Sequence, residues 1–415
     1  MTRLAAVVLA STLILPSCAP SSSAPEVPSP GAATSGTAES TLESSTTTQA
    51  ASTTPLPATS PPWPAGWSAV SSHPVMGRTF PVIIWTGIEY IVWGGEKPSE
   101  GEWHDTGAAF NPSTGQWRDL AASPLAPRSE HVAVWTGTEM IVCCGRQVGA
   151  GVAAAAYDPL ADMWRVISSP PISPTFGQAV WTGAEMVVFG GVGPGGFGNL
   201  RGAAAYNPTT GWRTLSDLPY GIERNAEAVL GNGVIYTWPS WLRTGDDAQP
   251  LAYHIATDSW EVLTVPPELK LPLSPSLTWT GYELIAWGLT PDLGQAFGVG
   301  LAFEPATGTW RALPPPPLPP TSPSDGSESS QSSAWTGTEM IVWTGWIGTE
   351  WDAPTTSVMA YDPAADSWSL VAPGPVMSIG LYHNPLTWTG THLLVYLPAS
   401  SAVLIYAPAA LEPVG

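Results

Sequence analysis

Three arginines, Arg78, Arg128 and Arg224, fall at nearly the same place in a recurring pattern, in a chain with only 13 basic residues. Converging guanidinium groups can hold a carboxylate or an acidic glycan through paired hydrogen bonds. Glu130, His131 and His383 lie in the same kind of stretch. A carboxylate beside a histidine is raw material for acid–base chemistry. Trp103, Trp346 and Trp351 sit in longer, variable segments, where an indole face can stack on a sugar ring. Each group has a plainer alternative. The arginines can pair with a neighbouring carboxylate such as Glu130 or Glu223, and the tryptophans can pack their own loops.

What positions these residues is a repeat. Trp85-Thr86-Gly87-Ile88-Glu89 returns as Trp135-Thr136-Gly137-Thr138-Glu139, Trp181-Thr182-Gly183-Ala184-Glu185 and Trp335-Thr336-Gly337-Thr338-Glu339. Trp279-Thr280-Gly281-Tyr282-Glu283 and Trp388-Thr389-Gly390 continue the series, and Leu230-Gly231-Asn232-Gly233 is a degenerate member. The seven starts are 46 to 56 residues apart, so the unit is one supersecondary structure repeated. A short apolar run follows each start, which makes Thr-Gly-x-Glu a tight hairpin turn with glycine supplying a positive φ. Eight residues after each start stand Trp93, Cys143, Phe189, Trp238, Trp287, Trp343 and Tyr396. A near-constant aromatic there implies one fixed packing role.

A second signature completes the unit. Phe110-Asn111-Pro112 precedes Trp117, Tyr157-Asp158-Pro159 precedes Trp164, and Tyr206-Asn207-Pro208 precedes Trp212. Tyr253 with Trp260, Phe303 with Trp310 and Tyr361 with Trp368 follow suit. The Asx-Pro stretch is turn chemistry between two further strands. Each unit therefore reads as a four-stranded antiparallel meander. One meander cannot bury both apolar faces alone, whereas seven stacked radially can. The last unit ends at Tyr406-Ala407-Pro408 without its final tryptophan strand, and Trp67-Ser68-Ala69-Val70 supplies one at the other end. The expected fold is all-β: a seven-bladed propeller over residues 63–415, its ring closed by that N-terminal strand. The Trp-Thr-Gly, Gly94-Gly95, Gly190-Gly191 and Tyr-Asp-Pro…Trp pattern resembles the kelch-repeat family, in the manner of a galactose-oxidase-like central domain. The resemblance implies a propeller over residues 67–408 and names no function, because such propellers serve binding modules and enzymes alike. The double glycine is absent at Pro239-Ser240, Thr344-Gly345 and Leu397-Pro398.

A meander sends its connections alternately to two faces. The first and third turns of each unit are short and uniform. The loops on the other face vary: Glu96 to Thr106 with Trp103 and His104, Val192 to Arg201, Trp241 to Pro250, and Trp346 to Thr356 with Trp351 and Asp352. Binding residues tend to lie on loops held by a rigid scaffold, so a ligand is expected on this face, near the channel mouth. The candidate residues are Arg78, Arg128, Glu130, His131, Arg224, His383, Trp103, Trp346 and Trp351.

Upstream of the repeats the chain changes character. Arg3 followed by the apolar run Leu4 to Leu15 has the layout of an export signal over residues 1–17, too short to span a bilayer. Leu15-Pro16-Ser17-Cys18 resembles a bacterial lipobox, with Pro16 its unusual residue. The resemblance implies acylation of Cys18, a stable anchor; an ordinary cleaved signal is the alternative. Residues 19–62 are almost all Ser, Thr, Ala, Pro and Gly, a composition for a disordered tether. A net charge of −20 leaves no basic stripe for nucleic acid and none for an anionic membrane surface. Membrane association is expected only through Cys18, and the chain is expected to be a monomer.

Some kelch propellers resemble copper radical oxidases, which need two His, two Tyr and a Tyr–Cys cross-link. Here His73, His104, His131, His254, His383 and His392 fall in different units. No cofactor and no metal are expected, and no CxxC set, HExxH, P-loop or GxSxG occurs. Cys143 and Cys144 are read as two thiols, because neighbours in a regular strand point to opposite faces; a vicinal disulfide is the alternative. Three functions remain: a cell-envelope module binding a glycan, peptide or protein; an extracellular carbohydrate-active lyase, mutarotase or oxidase; and a structural envelope protein. No catalytic residue is assigned.

Overall fold

The computed structural model describes residues 63–97, 100–149, 151–193, 198–222, 226–239, 249–289, 298–317, 329–346, 356–373, 386–398 and 401–408. These form seven four-stranded antiparallel blades of a β-propeller. Blade 1 is Val82–Trp85, Tyr90–Trp93, Gly107–Asn111 and Gln116–Asp119. Blade 2 is Val132–Trp135, Met140–Cys143, Ala154–Asp158 and Met163–Val166. Blade 3 runs from Gln178–Trp181 to Gly211–Leu215, and blade 4 from Glu227–Gly231 to Ser259–Val262. Blade 5 runs from Leu273–Trp279 to Thr309–Ala312, and blade 6 from Ser329–Trp335 to Ser367–Pro373. Blade 7 joins Leu386–Trp388, Leu393–Leu397 and Ala402–Ala407 to Gly66–Ala69. No described residue is helical.

One register recurs in every blade. The third-strand aromatic lies opposite the fourth-strand tryptophan: Phe110 and Trp117, Tyr157 and Trp164, Tyr206 and Trp212, Tyr253 and Trp260. Phe303 and Trp310, Tyr361 and Trp368, and Tyr406 and Trp67 complete the set. Their ring centroids are 4.5 to 5.1 Å apart, all tilted, a favourable aromatic geometry. The hairpin turns are equally uniform. The Thr86 hydroxyl accepts from the Glu89 amide at 2.9 Å, and the same contact joins Thr136 to Glu139 and Thr336 to Glu339. The degenerate blade 4 solves the turn differently. Asn232 and Gly233 are both left-handed, which gives a two-residue hairpin loop.

Adjacent blades share their cores. Trp93 of blade 1 packs with Val142, Ala155 and Tyr157 of blade 2, and Tyr90 and Val92 of blade 1 pack with Leu394 and Tyr396 of blade 7. Polar latches reinforce these seams. Trp117, Trp164, Trp212, Trp260 and Trp368 donate their indole N–H to the carbonyls of Ser71, Ala121, Ser168, Ser216 and Pro314, at 2.8 to 3.0 Å. Each carbonyl lies four residues beyond the previous blade's tryptophan.

A second set of latches was not read from the sequence. The turn glutamates Glu89, Glu139, Glu185 and Glu283 each take a forked contact from Arg118, Arg165, Arg213 and Arg311. Arg118 also donates to the Tyr157 hydroxyl of the next blade at 3.0 Å, and Tyr157 donates to Asp162. Arg311, Tyr361 and Asp366 repeat this chain between blades 5 and 6. In blade 4, Val234 and Glu261 occupy the paired positions, and Glu261 meets His254 instead.

Candidate functional site

In blades 1, 2 and 3 the variable face is built by a double left-handed step at the end of the second strand. Gly94 and Gly95 have φ of +72° and +86°, Gly190 and Gly191 +65° and +75°. In blade 2, Cys144 and Gly145 take the same path at +70° and +76°. The step swings the chain over the following blade. The Gly95 amide donates to the Arg128 carbonyl and the Gly145 amide to the Pro174 carbonyl, both at 2.9 Å. A Cβ on Gly145 would come within 2.6 Å of the Ser129 carbonyl, so this approach requires glycine.

Past the step, two short two-stranded pairings lie on this face. Glu96–Lys97 pairs with Glu102–Trp103, and Arg128–Ser129 pairs with Arg146–Gln147. Facing them, the residue five before each Trp-Thr-Gly start is left-handed in three successive blades: Phe80, Glu130 and Phe176, with φ of +52°, +57° and +54°. Phe80 and Phe176 meet edge to face at 5.1 Å, bringing blades 1 and 3 together across blade 2.

The two described arginines of the recurring set turn inward. Arg128 is fully buried, and its five N–H groups are all engaged. Nε donates to Ala126 O, Nη1 to Cys144 O and Ala153 O, and Nη2 to Gln147 Oε1 and Val152 O, at 2.7 to 3.2 Å. Arg78 is also buried, and donates to the Gly94 and Thr106 carbonyls and the Thr106 hydroxyl. Its own backbone is pinned by the Tyr396 hydroxyl. Burial lowers the pKa of both guanidinium groups. Each arginine ties the exit of one second strand to the entry of the third. With every N–H of Arg128 so engaged, that side chain has no donor left for a ligand.

His131 lies under the same face. It is buried edge-on against Trp93 at 5.1 Å. Burial first, then the nearby Arg128 charge, push its pKa down to about 3, and the Trp93 backbone offsets this only in part. Neither ring nitrogen meets a partner at hydrogen-bond geometry among the described residues. It is therefore neutral, and the protein interior encloses it.

One guanidinium on this face reaches solvent and heads a small row. Arg146 is 55 % exposed; its Nη1 lies 3.4 Å from Glu130 Oε1, and its guanidinium sits 5.1 Å over the Trp103 ring. Ser129 donates to Glu96 Oε2 at 3.2 Å just beside it. Of the expected residues, Trp103 and Glu130 are thus joined, through an arginine that had not been singled out. Arg146 immediately follows the double left-handed step, where blade 1 has Glu96 and blade 3 has Val192. That mismatch among aligned positions was the available signal.

No protein-family model matches the chain, and no curated protein matches it.

Arg224, His383, Trp351 and Cys18 lie outside the described residues, as does Glu223. Trp346 is the last residue of its strand, Met340–Trp346. Among the described residues, no group of three or more His, Cys, Asp or Glu side chains is placed to hold a metal ion.

Proposed function

We propose that this chain is an exported, lipid-anchored propeller that binds an extracellular glycan, peptide or protein through the Trp103–Arg146–Glu130 row of blades 1 and 2. The observation that carries this reading is an exposed guanidinium held 5.1 Å over an indole and beside a nearly buried carboxylate. Stacking on an aromatic ring and presenting a planar fork suit recognition of a sugar ring, an aromatic side chain or a carboxylate. Arg128 supports the row from below by fixing the strap on which Arg146 stands. The repeats resemble those of kelch propellers, many of which are recognition scaffolds, and Cys18 after the apolar leader supports an anchor at the outer membrane face. His131, the expected histidine nearest this row, is enclosed and neutral, which favours binding over acid–base catalysis there.

A glycan and peptide array probed with residues 19–415 tests the reading. A hit that Arg146→Ala and Trp103→Ala both abolish supports it; a hit indifferent to both places the binding surface elsewhere. The anchor is tested separately, by palmitate labelling in an exporting bacterial host with Cys18→Ala as the unlabelled control.

A further inference from the structure

Blade 2 replaces the first glycine of the double step with cysteine, immediately after another cysteine. Cys143 ends its strand at the inter-blade position filled by Trp93 and Phe189 in the neighbouring blades. Cys144 then adopts φ +70°, where Gly94 and Gly190 stand in blades 1 and 3. A side chain there is strained, and strain of this kind in a non-glycine residue points to a local role. It also defeats the alternation that separates neighbouring side chains in a strand. The Cys143 and Cys144 sulfurs, both free thiols in the structure, lie 2.6 Å apart, well inside the contact distance of two sulfurs, and both side chains are buried. The backbone on either side is held: Arg128 Nη1 takes the Cys144 carbonyl, and the Gly145 amide is bound to Pro174.

From this geometry we infer that Cys143 and Cys144 are a vicinal dithiol–disulfide pair, closed by a small-molecule disulfide while blade 2 folds and then sealed by the packing of blades 2 and 3. One thiolate attacks the small disulfide, giving a mixed disulfide and one small-molecule thiolate. The neighbouring thiolate attacks the cysteine sulfur of that bond and expels the second. The protein thus loses two electrons and two protons, and the small disulfide becomes two thiols. Closure belongs to folding because burial pushes the folded Cys144 thiol far up and removes both sulfurs from solvent. A ring of adjacent residues restricts little of the unfolded chain. Its effect is local: it fixes the turn from which the Arg146 strap departs.

The test uses the full chain, unfolded in denaturant and refolded in a mixture of oxidised and reduced glutathione, then alkylated in denaturant and digested with trypsin. Both cysteines fall in the peptide Ser129–Arg146, separate from Cys18. The expected peptide is lighter than the dithiol form by two hydrogens and carries no alkyl group. In the native chain the ring should open to dithiothreitol at least about tenfold more slowly than in the unfolded chain. Two alkylated cysteines, a glutathione adduct, or a link to the Cys18 peptide overturns the inference. Equal rates of opening in folded and unfolded chain overturn the sealed ring. Cys144→Gly, which restores the residue of blades 1 and 3, keeps the comparison sound. In wild type, reduction should speed amide exchange at residues 144–148; in the variant it should change nothing, and an equal response in both overturns the local role.

Discussion

On the face carrying the Thr-Gly-x-Glu turns, Arg118, Arg165, Arg213 and Arg311 each meet a glutamate and remain one-third to one-half exposed. On the opposite face of blades 1 and 2, Arg78 and Arg128 are buried and meet carbonyl oxygens. The first set repeats because each blade supplies its own partner at a fixed register. The second set depends on how one strand's exit passes one blade's entry. Exposed pairs contribute little each and gain by repetition, up to about 1 kcal/mol per pair. A buried guanidinium is worth more, because removing it strands several carbonyls away from water. The difference teaches that on this scaffold a basic residue's position in the repeat does not reveal its work. What it can reach does.

The comparison can be broken most sharply at Arg128. Arg128→Ala should destabilise the chain by about 4 kcal/mol in denaturant melts, since it takes the donor from one buried and three part-buried carbonyls. Arg128→Lys should rescue little, because a single ammonium cannot replace the fork. Near-wild-type stability of Arg128→Ala would mean the knot is dispensable.

His131 tests the same buried layer through pH. Its folded pKa is depressed from 6.5 to about 3, so between those values the unfolded chain takes up a proton that the folded chain refuses. Stability is therefore full above pH 6.5 and falls as pH drops, by about 2 kcal/mol at pH 5. His73 and His104, lowered mainly by burial, act in the same direction. Melting curves of His131→Leu should be much flatter between pH 5 and 7; an unchanged slope would remove His131 as the cause.

The ladder face should respond more weakly. Arg118→Ala should cost about 1 kcal/mol, and Arg213→Ala, more exposed and with fewer contacts, about half of that, by thermal melts. A loss as large as that at Arg128 would erase the contrast. In acid, Asp162 adds a small effect: the Tyr157 hydroxyl holds its carboxylate below the ordinary range, so its contribution fades as pH falls through that lowered pKa. Arg146→Ala should be smallest of all, within about 0.5 kcal/mol in stability, while removing ligand binding. A large loss of stability there would make Arg146 a structural residue.

Much of the blade was readable in advance. Trp-Thr-Gly-x-Glu and Asx-Pro…Trp carry their own turn chemistry, and the aromatic eight residues on marks the buried second strand. Those are local relations, fixed by residues close in sequence. The Glu89–Arg118 fork was hidden because its partners are 29 residues apart and meet across an intervening strand. Arg146 was passed over because only the double left-handed step shows it beside Trp103 and Glu130, residues from different loops. Cys143 and Cys144 are free thiols, as read, but the close approach of their sulfurs was hidden by the strand rule, which stops applying one residue earlier than the sequence shows.

The sequence by itself determined the repeat, the strand count per blade and the all-β class, because turns and alternating burial are set by neighbours along the chain. Tertiary structure alone decided which arginines face inward, which one meets solvent, and that two adjacent sulfurs touch. Those outcomes depend on acceptors and walls contributed by other loops and blades, and on one left-handed residue whose direction becomes defined only when the blades are packed.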